Sequence, residues 1–214
     1  MNCFRSLYKD FMGKISIYED RSEEIILKYN TIATHEFKYL SEGIISDAWQ
    51  SWCCFCRSVI HYSCNGATRR NGTVIQKRNT LNSWQRIGYE AAHAASPRIK
   101  PNGVLTHIRN EPTWGDISKI IDIINTLNPN NKSQLNTAFG LPIFGPKHMQ
   151  IIRNACQHKN QETMTEARRV YSYYSARTNN PPSFIIREID NSKTSFVIHS
   201  WLDDIKIIAE NSTS

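Results

Sequence analysis

Apolar side chains recur every three or four residues through most of this 214-residue chain, and the places where the recurrence stops divide it into helical segments. Residues 15–32 carry Ile25, Ile26, Tyr29 and Ile32 at helical spacing, behind the acidic pairs Glu19-Asp20 and Glu23-Glu24 that suit a helix start. The longest run is 36–64. There Phe37, Leu40, Ile44, Ile45, Ala48, Trp49, Trp52, Phe55, Cys56, Val59 and Ile60 define one broad face, interrupted only by Gly43, and predict a core helix. Further helices are predicted over 81–95, 116–127, 133–139, 145–159 and 163–177. The last of these opens on Thr163-Met164-Thr165-Glu166, the pattern of a capping box.

Between these runs the character changes. Residues 65–79 hold Asn65-Gly66 and Asn71-Gly72 among Arg69, Arg70, Lys77 and Arg78, which predicts an exposed basic loop. The stretch 98–114, with Pro101, Gly103 and Pro112, is too irregular for a regular element. After Pro181-Pro182, residues 184–189 and 194–198 predict two strands joined by a turn at 190–193, followed by a helix over 200–210. The fold class expected is therefore all-α, a helical bundle with a small C-terminal β-hairpin. A single domain over 1–214 is expected, with a helical extension at 1–35, a bundle core at 36–178 and the hairpin and helix at 179–214.

Composition narrows the partners. Lys and Arg together number 26 against 19 Asp and Glu, a net charge of +7 that favours a polyanion. Residues 1–10 lack the apolar core of a signal peptide, and no apolar run reaches the length of a membrane span, so a cytoplasmic protein without membrane contact is expected. Six cysteines are present, of which Cys53, Cys54 and Cys56 crowd one apolar segment; reduced thiols are expected. Cys53, Cys56, His61 and Cys64 approach the spacing of a zinc knuckle. On one helix, however, Cys53 and Cys64 stand roughly 16 Å apart along the axis, too far for a single ion, so these are read as small apolar core residues.

The chemistry concentrates in Ile151-Ile152-Arg153-Asn154-Ala155-Cys156-Gln157-His158-Lys159. An arginine, an asparagine and a histidine in one short helical run are what a metal-free RNA-cleaving site needs. RNA carries its own nucleophile in the 2′-hydroxyl, so the protein supplies a proton carrier and a cation for the developing phosphorane charge. Arg153-Asn154 followed by three residues and His158 resembles the defining motif of the HEPN superfamily, all-helical domains of which many are ribonucleases in toxin–antitoxin, phage-defence and CRISPR-linked systems. The resemblance implies a homodimeric endoribonuclease that needs no metal or cofactor, with both motifs lining one composite cleft. It also implies Arg153, Asn154 and His158 as the catalytic set, and an antitoxin or other defence protein as partner. A non-catalytic RNA-binding or regulatory subunit of the same fold is the alternative.

Geometry explains why a dimer matters. On an ideal helix Asn154 and His158 share a face, whereas Arg153 points about 140° away from His158 and lies about 7.5 Å from it along the axis. A helix break near His158, a second protomer, or both are required before the two act on one phosphate. Further RNA contacts are assigned to Arg69, Arg70, Lys77 and Arg78 of the basic loop and to Lys159, Arg168 and Arg169 beside the motif. His107 and Arg109 are secondary candidates, and Tyr171, Tyr173 and Tyr174 are read as core or rim aromatics. Glu111-Pro112-Thr113-Trp114-Gly115-Asp116 is similar to a Pro-Thr-Trp-like segment that some HEPN proteins place before a helix.

Overall fold

A computed structural model describes residues 2–78, 83–96, 110–177 and 179–214. In chain order the elements are β1 (Asn2–Cys3), α1 (Phe4–Leu27), α2 (Thr34–Asn65), β2 (Ala67–Thr68), β3 (Val74–Ile75), α3 (Trp84–Ala95), α4 (Ile117–Leu127), α5 (Lys132–Phe139), α6 (Gly145–His158) and α7 (Gln161–Tyr173). A 3-10 helix (Pro182–Arg187), β4 (Ile189–Asp190), β5 (Ser195–Phe196) and α8 (Val197–Thr213) complete the chain. The fold is all-α with a small hairpin near the C-terminus. Among the described residues no helix is long and apolar enough to cross a membrane.

The chain packs as two compact units, residues 1–11, 52–142 and 207–214 in the first and residues 12–51 and 143–206 in the second. The first is built around rings. Phe11 stacks on Phe55 at 4.3 Å between centroids, Trp52 lies 6.0 Å from Phe55 and 6.1 Å from Phe139, and the Trp52 indole donates to the Gly115 carbonyl at 3.0 Å. α4 buries Ile120, Ile123, Ile124 and Leu127 on one face and packs against α3 and α5. Its N-cap is Asp116, which accepts from the Ser118 amide, and Asn128 closes it in a left-handed conformation.

In the second unit α6 packs on α7 and on the 3-10 helix. Tyr29, Phe37 and Phe184 meet edge to face, and Trp201, Leu202 and Ile205 of α8 are fully buried. Gly145, at the start of α6, is set by close approach. A Cβ there would lie 2.7 Å from the Asp204 Cβ and 2.8 Å from the Trp201 Cα, and the Gly145 amide donates to the Asp204 carboxylate at 2.8 Å.

Several elements differ from the reading of the sequence. α1 begins at Phe4 rather than near residue 15, because Phe4, Phe11, Ile15 and Tyr18 continue the buried stripe through Gly13. Residues 65–78 are not a free loop: β2 pairs antiparallel with β3 and parallel with β1, and the Arg78 amide donates to the Cys64 carbonyl at 2.9 Å. Residues 184–187 form a 3-10 turn instead of a strand. Phe184, Ile185 and Ile186 are all buried, so none of them leaves the alternating exposed face that a half-buried strand would show. The hairpin shrinks to Ile189 and Asp190 against Phe196 and Ser195, and α8 starts at Val197.

Candidate functional site

α6 places the motif. Met149, Ile152, Ala155 and Cys156 are buried, which leaves Arg153 and Asn154 half-buried at the boundary and Gln157 and His158 exposed. Lys159 then adopts the left-handed conformation, with φ 46 and ψ 30, and its amide returns to the Ala155 carbonyl. α7 follows at once, capped by Asn160, whose side chain accepts from the Thr163 amide at 2.9 Å. The cap is thus three residues ahead of the expected capping box at Thr163.

The helix break comes one position too late to redirect His158, which remains the last helical residue of α6. Regular geometry therefore holds through the motif, and Arg153 and His158 of one chain diverge by about 140°. Asn154 pairs with Arg153 and not with His158: the Arg153 Nη1 donates to the Asn154 Oδ1 at 3.3 Å. The Arg153 Nε is buried with no acceptor, and no carboxylate among the described residues pairs with this guanidinium. The Nε atoms of Arg69, Arg78 and Arg187 are buried without an acceptor in the same way, so what sets Arg153 apart is its place on the motif helix beside Asn154. His158 makes no hydrogen bond to a described residue and stands open to a substrate.

Lys159, Arg168 and Arg169 are exposed, and none forms an ion pair with a described residue. The basic residues near the first hairpin belong to the other unit. Arg70 stacks its guanidinium 3.8 Å above the Tyr8 ring and lies 3.8 Å from the Glu210 carboxylate, so much of its charge is already engaged. Arg69 and Arg78 are half-buried with unpaired Nε atoms, and Lys77 is exposed. His107 and Arg109 lie outside the described residues.

Glu111-Pro112-Thr113-Trp114 serves as an anchor. The Glu111 carboxylate is only 4% exposed; it accepts from the Arg57 guanidinium through both oxygens, at 2.5 and 2.7 Å, and from the Trp114 indole at 2.7 Å. That bidentate pair raises the pKa of Arg57. Of the four cysteines on α2, Cys56 and Cys64 are buried in the core as expected, whereas Cys53 is half-buried and Cys54 exposed. No disulfide joins any of the six cysteines, burial pushes the thiols of Cys56 and Cys64 up, that of Cys64 to about 12, and among the described residues no group of three or more His, Cys, Asp or Glu is placed to hold a metal.

One histidine escaped the sequence reading. His148 is 8% exposed, its Nδ1 2.9 Å from the Tyr174 hydroxyl, which also accepts from the Trp201 indole at 2.9 Å. An indole only donates, so the Tyr174 oxygen accepts from Trp201, and the direction of its hydrogen bond with the His148 Nδ1 follows the imidazole tautomer. Burial holds its pKa at about 4, reinforced by Lys147 and opposed by Asp204 and Asp190. The available signal was its place beside Met149 and one turn before Ile152, on the apolar side of α6.

His61 behaves alike in the first unit. Buried with an unpaired Nε2 and facing the Trp114 ring at 5.8 Å, it is held at about 4 by burial and then by Arg57, with Glu111 acting the other way. Both folded values lie below the roughly 6.5 of an unfolded histidine. The unfolded chain therefore takes up protons first as pH falls, and stability is lost between about 6.5 and 4. Each histidine should cost on the order of 1–2 kcal/mol by pH 5. Urea midpoints at pH 7.5 and pH 5 check this; equal midpoints would contradict it.

Compared with protein-family models, curated proteins and solved structures, the chain finds no match.

Proposed function

We propose that this chain is a metal-independent endoribonuclease of HEPN type that cleaves single-stranded RNA as a homodimer, acting as a toxin or phage-defence effector. The observation that carries the reading is the Arg153 guanidinium, paired with no carboxylate among the described residues and bonded to Asn154, five residues before an exposed histidine at the end of the same helix. The basic balance of the chain favours the same polyanionic substrate.

In this reading His158 acts as general acid or base, and Arg153 meets the charge that develops on the phosphate. Asn154, bonded to the Arg153 guanidinium, orients it. The ribose 2′-oxygen attacks phosphorus, its proton passes to a base, and the bond to the 5′-oxygen breaks as that oxygen gains a proton. The products are a 2′,3′-cyclic phosphate and a 5′-hydroxyl. Because Arg153 and His158 of one chain point apart, the working pair is Arg153 of one protomer with His158 of its partner across a two-fold axis. An antitoxin or other defence protein would then act by covering that cleft or by parting the protomers.

The same residues also fit a non-catalytic RNA-binding subunit, favoured by that divergence within one chain. Purified full-length protein incubated with labelled single-stranded RNA in EDTA separates the two. Cleavage with cyclic-phosphate ends is expected. Binding without cleavage, cleavage lost on chelation, or 5′-phosphate ends would contradict the proposal.

A further inference from the structure

Phe144 and Tyr173 are large rings left in solvent, 48% and 57% exposed, although each is anchored to a rigid aromatic cluster. Their centroids are 5.7 Å apart. Phe144 stacks on His148 at 5.7 Å with planes 16° apart, and Tyr173 meets His148 at 4.8 Å and Tyr174 at 4.9 Å, both edge to face. Beneath them the Trp201 indole, the Tyr174 hydroxyl and the His148 imidazole form the hydrogen-bonded chain described above, which fixes the buried rings in place. Two exposed rings on such a base lose little conformational freedom when a third ring settles on them.

The charges at this end of α6 and α7 are positive. Lys147 is exposed one turn after Phe144, and Arg169 is exposed one turn before Tyr173. The nearby carboxylates are occupied: Asp204 accepts from Lys193 and from the Gly145 amide, and Asp190 from Ser192. Glu162 and Glu166 lie on the same side of α7 as Arg169, toward the end where α7 begins, and would repel a phosphate backbone tracking that helix. On α6 the equivalent stripe carries no acid. Lys147, Asn154 and His158 fall within about 40° of one another on an ideal helix, with Lys147 roughly 16 Å along the axis from His158.

We propose that Phe144 and Tyr173 form a base-stacking subsite for single-stranded RNA, whose backbone then follows the Lys147–Asn154–His158 stripe of α6. The occupant needs flat π faces together with negative charge, the combination that an unpaired nucleic acid offers. This rests on the RNA reading of the motif and adds to it the means by which a strand is held several nucleotides from the site of cleavage.

A test uses the full-length protein and a fluorescein-labelled 2′-O-methyl oligouridine of twelve residues, which lacks the nucleophile and stays intact, with anisotropy as the readout. Phe144→Leu and Tyr173→Leu keep apolar bulk and remove the π face; each is expected to weaken binding roughly 5- to 100-fold, while Tyr173→Phe binds like the parent. Lys147→Gln should weaken binding and lessen its dependence on salt. Unchanged affinity in both leucine variants, with circular dichroism matching the parent, would overturn the subsite while leaving the RNA reading standing. No binding by the parent protein at low salt would overturn both. A loss of self-association in the leucine variants with strand affinity intact would assign the rings to a subunit interface and overturn the proposal as well.

Discussion

Glu111→Ala is expected to lower the folding stability by about 3 kcal/mol, near the low end of what breaking a buried ion pair costs. The Glu111 carboxylate is 4% exposed and accepts three hydrogen bonds, two from Arg57 and one from the Trp114 indole. Removing it leaves the Arg57 guanidinium without its counter-charge and a buried indole N–H without an acceptor. The Arg57 side chain is 30% exposed, so water recovers part of the loss, which is why the low end applies. Against a typical total of roughly 5–15 kcal/mol the change is large. Glu111→Gln, which keeps an acceptor for Trp114 but no charge, should fall between the parent and alanine. Urea unfolding of the three proteins decides it, and an alanine variant within 1 kcal/mol of the parent would contradict the anchor.

Much of this architecture was legible before any coordinates, and the failures have specific causes. The opening of α6 at Gly145-Pro146 and its end before Asn160 follow from local rules that proline and polar caps obey. The reason Gly145 must be glycine did not, because the crowding comes from Trp201 and Asp204, more than fifty residues away. The run from Phe184 to Ile186 was ambiguous in principle: a short, wholly apolar segment carries no period, and here the preceding Pro181-Pro182 and the burial of every member give a 3-10 turn.

The site shows the same division. That Arg153 and Asn154 would sit at the edge of a buried face, with His158 outside it, could be read from Met149, Ile152 and Cys156. Which partner Asn154 would choose could not, since Arg153 and His158 are both within its reach on a helix and only coordinates distinguish them. The pairing of the buried His148 is not legible in the sequence, because its partners Tyr174 and Trp201 lie on other elements. Tyr171, Tyr173 and Tyr174 split by burial. Tyr171 bonds the Pro181 carbonyl and Tyr174 the His148 ring, both inside, whereas Tyr173 stands out in solvent.

Each single change at the motif is expected to disable cleavage while leaving the fold intact. His158→Ala removes the proton carrier and should slow cleavage by about 100- to 10,000-fold, since that is the range general acid–base catalysis supplies. Arg153→Ala removes the cation facing the phosphate and should cost about 100- to 1,000-fold. Neither change should unfold the protein. His158 is exposed and bonded to nothing described, and the Arg153 hydrogen bond to Asn154 is at a half-buried surface. Losses of this size with unaltered urea midpoints would mark a chemical role; a parallel loss of stability would mark a structural one.

The most direct measurement combines these two inactive proteins. His158→Ala and Arg153→Ala chains, unfolded together in equal amounts and refolded, form mixed dimers in which Arg153 of one chain still faces His158 of the other. Cleavage should return to roughly a quarter of the parent rate, because about half of the dimers are mixed and each keeps one of two intact pairings. A refolded mixture as inactive as either variant alone, with mixed dimers present, would contradict a site shared between two copies of this chain.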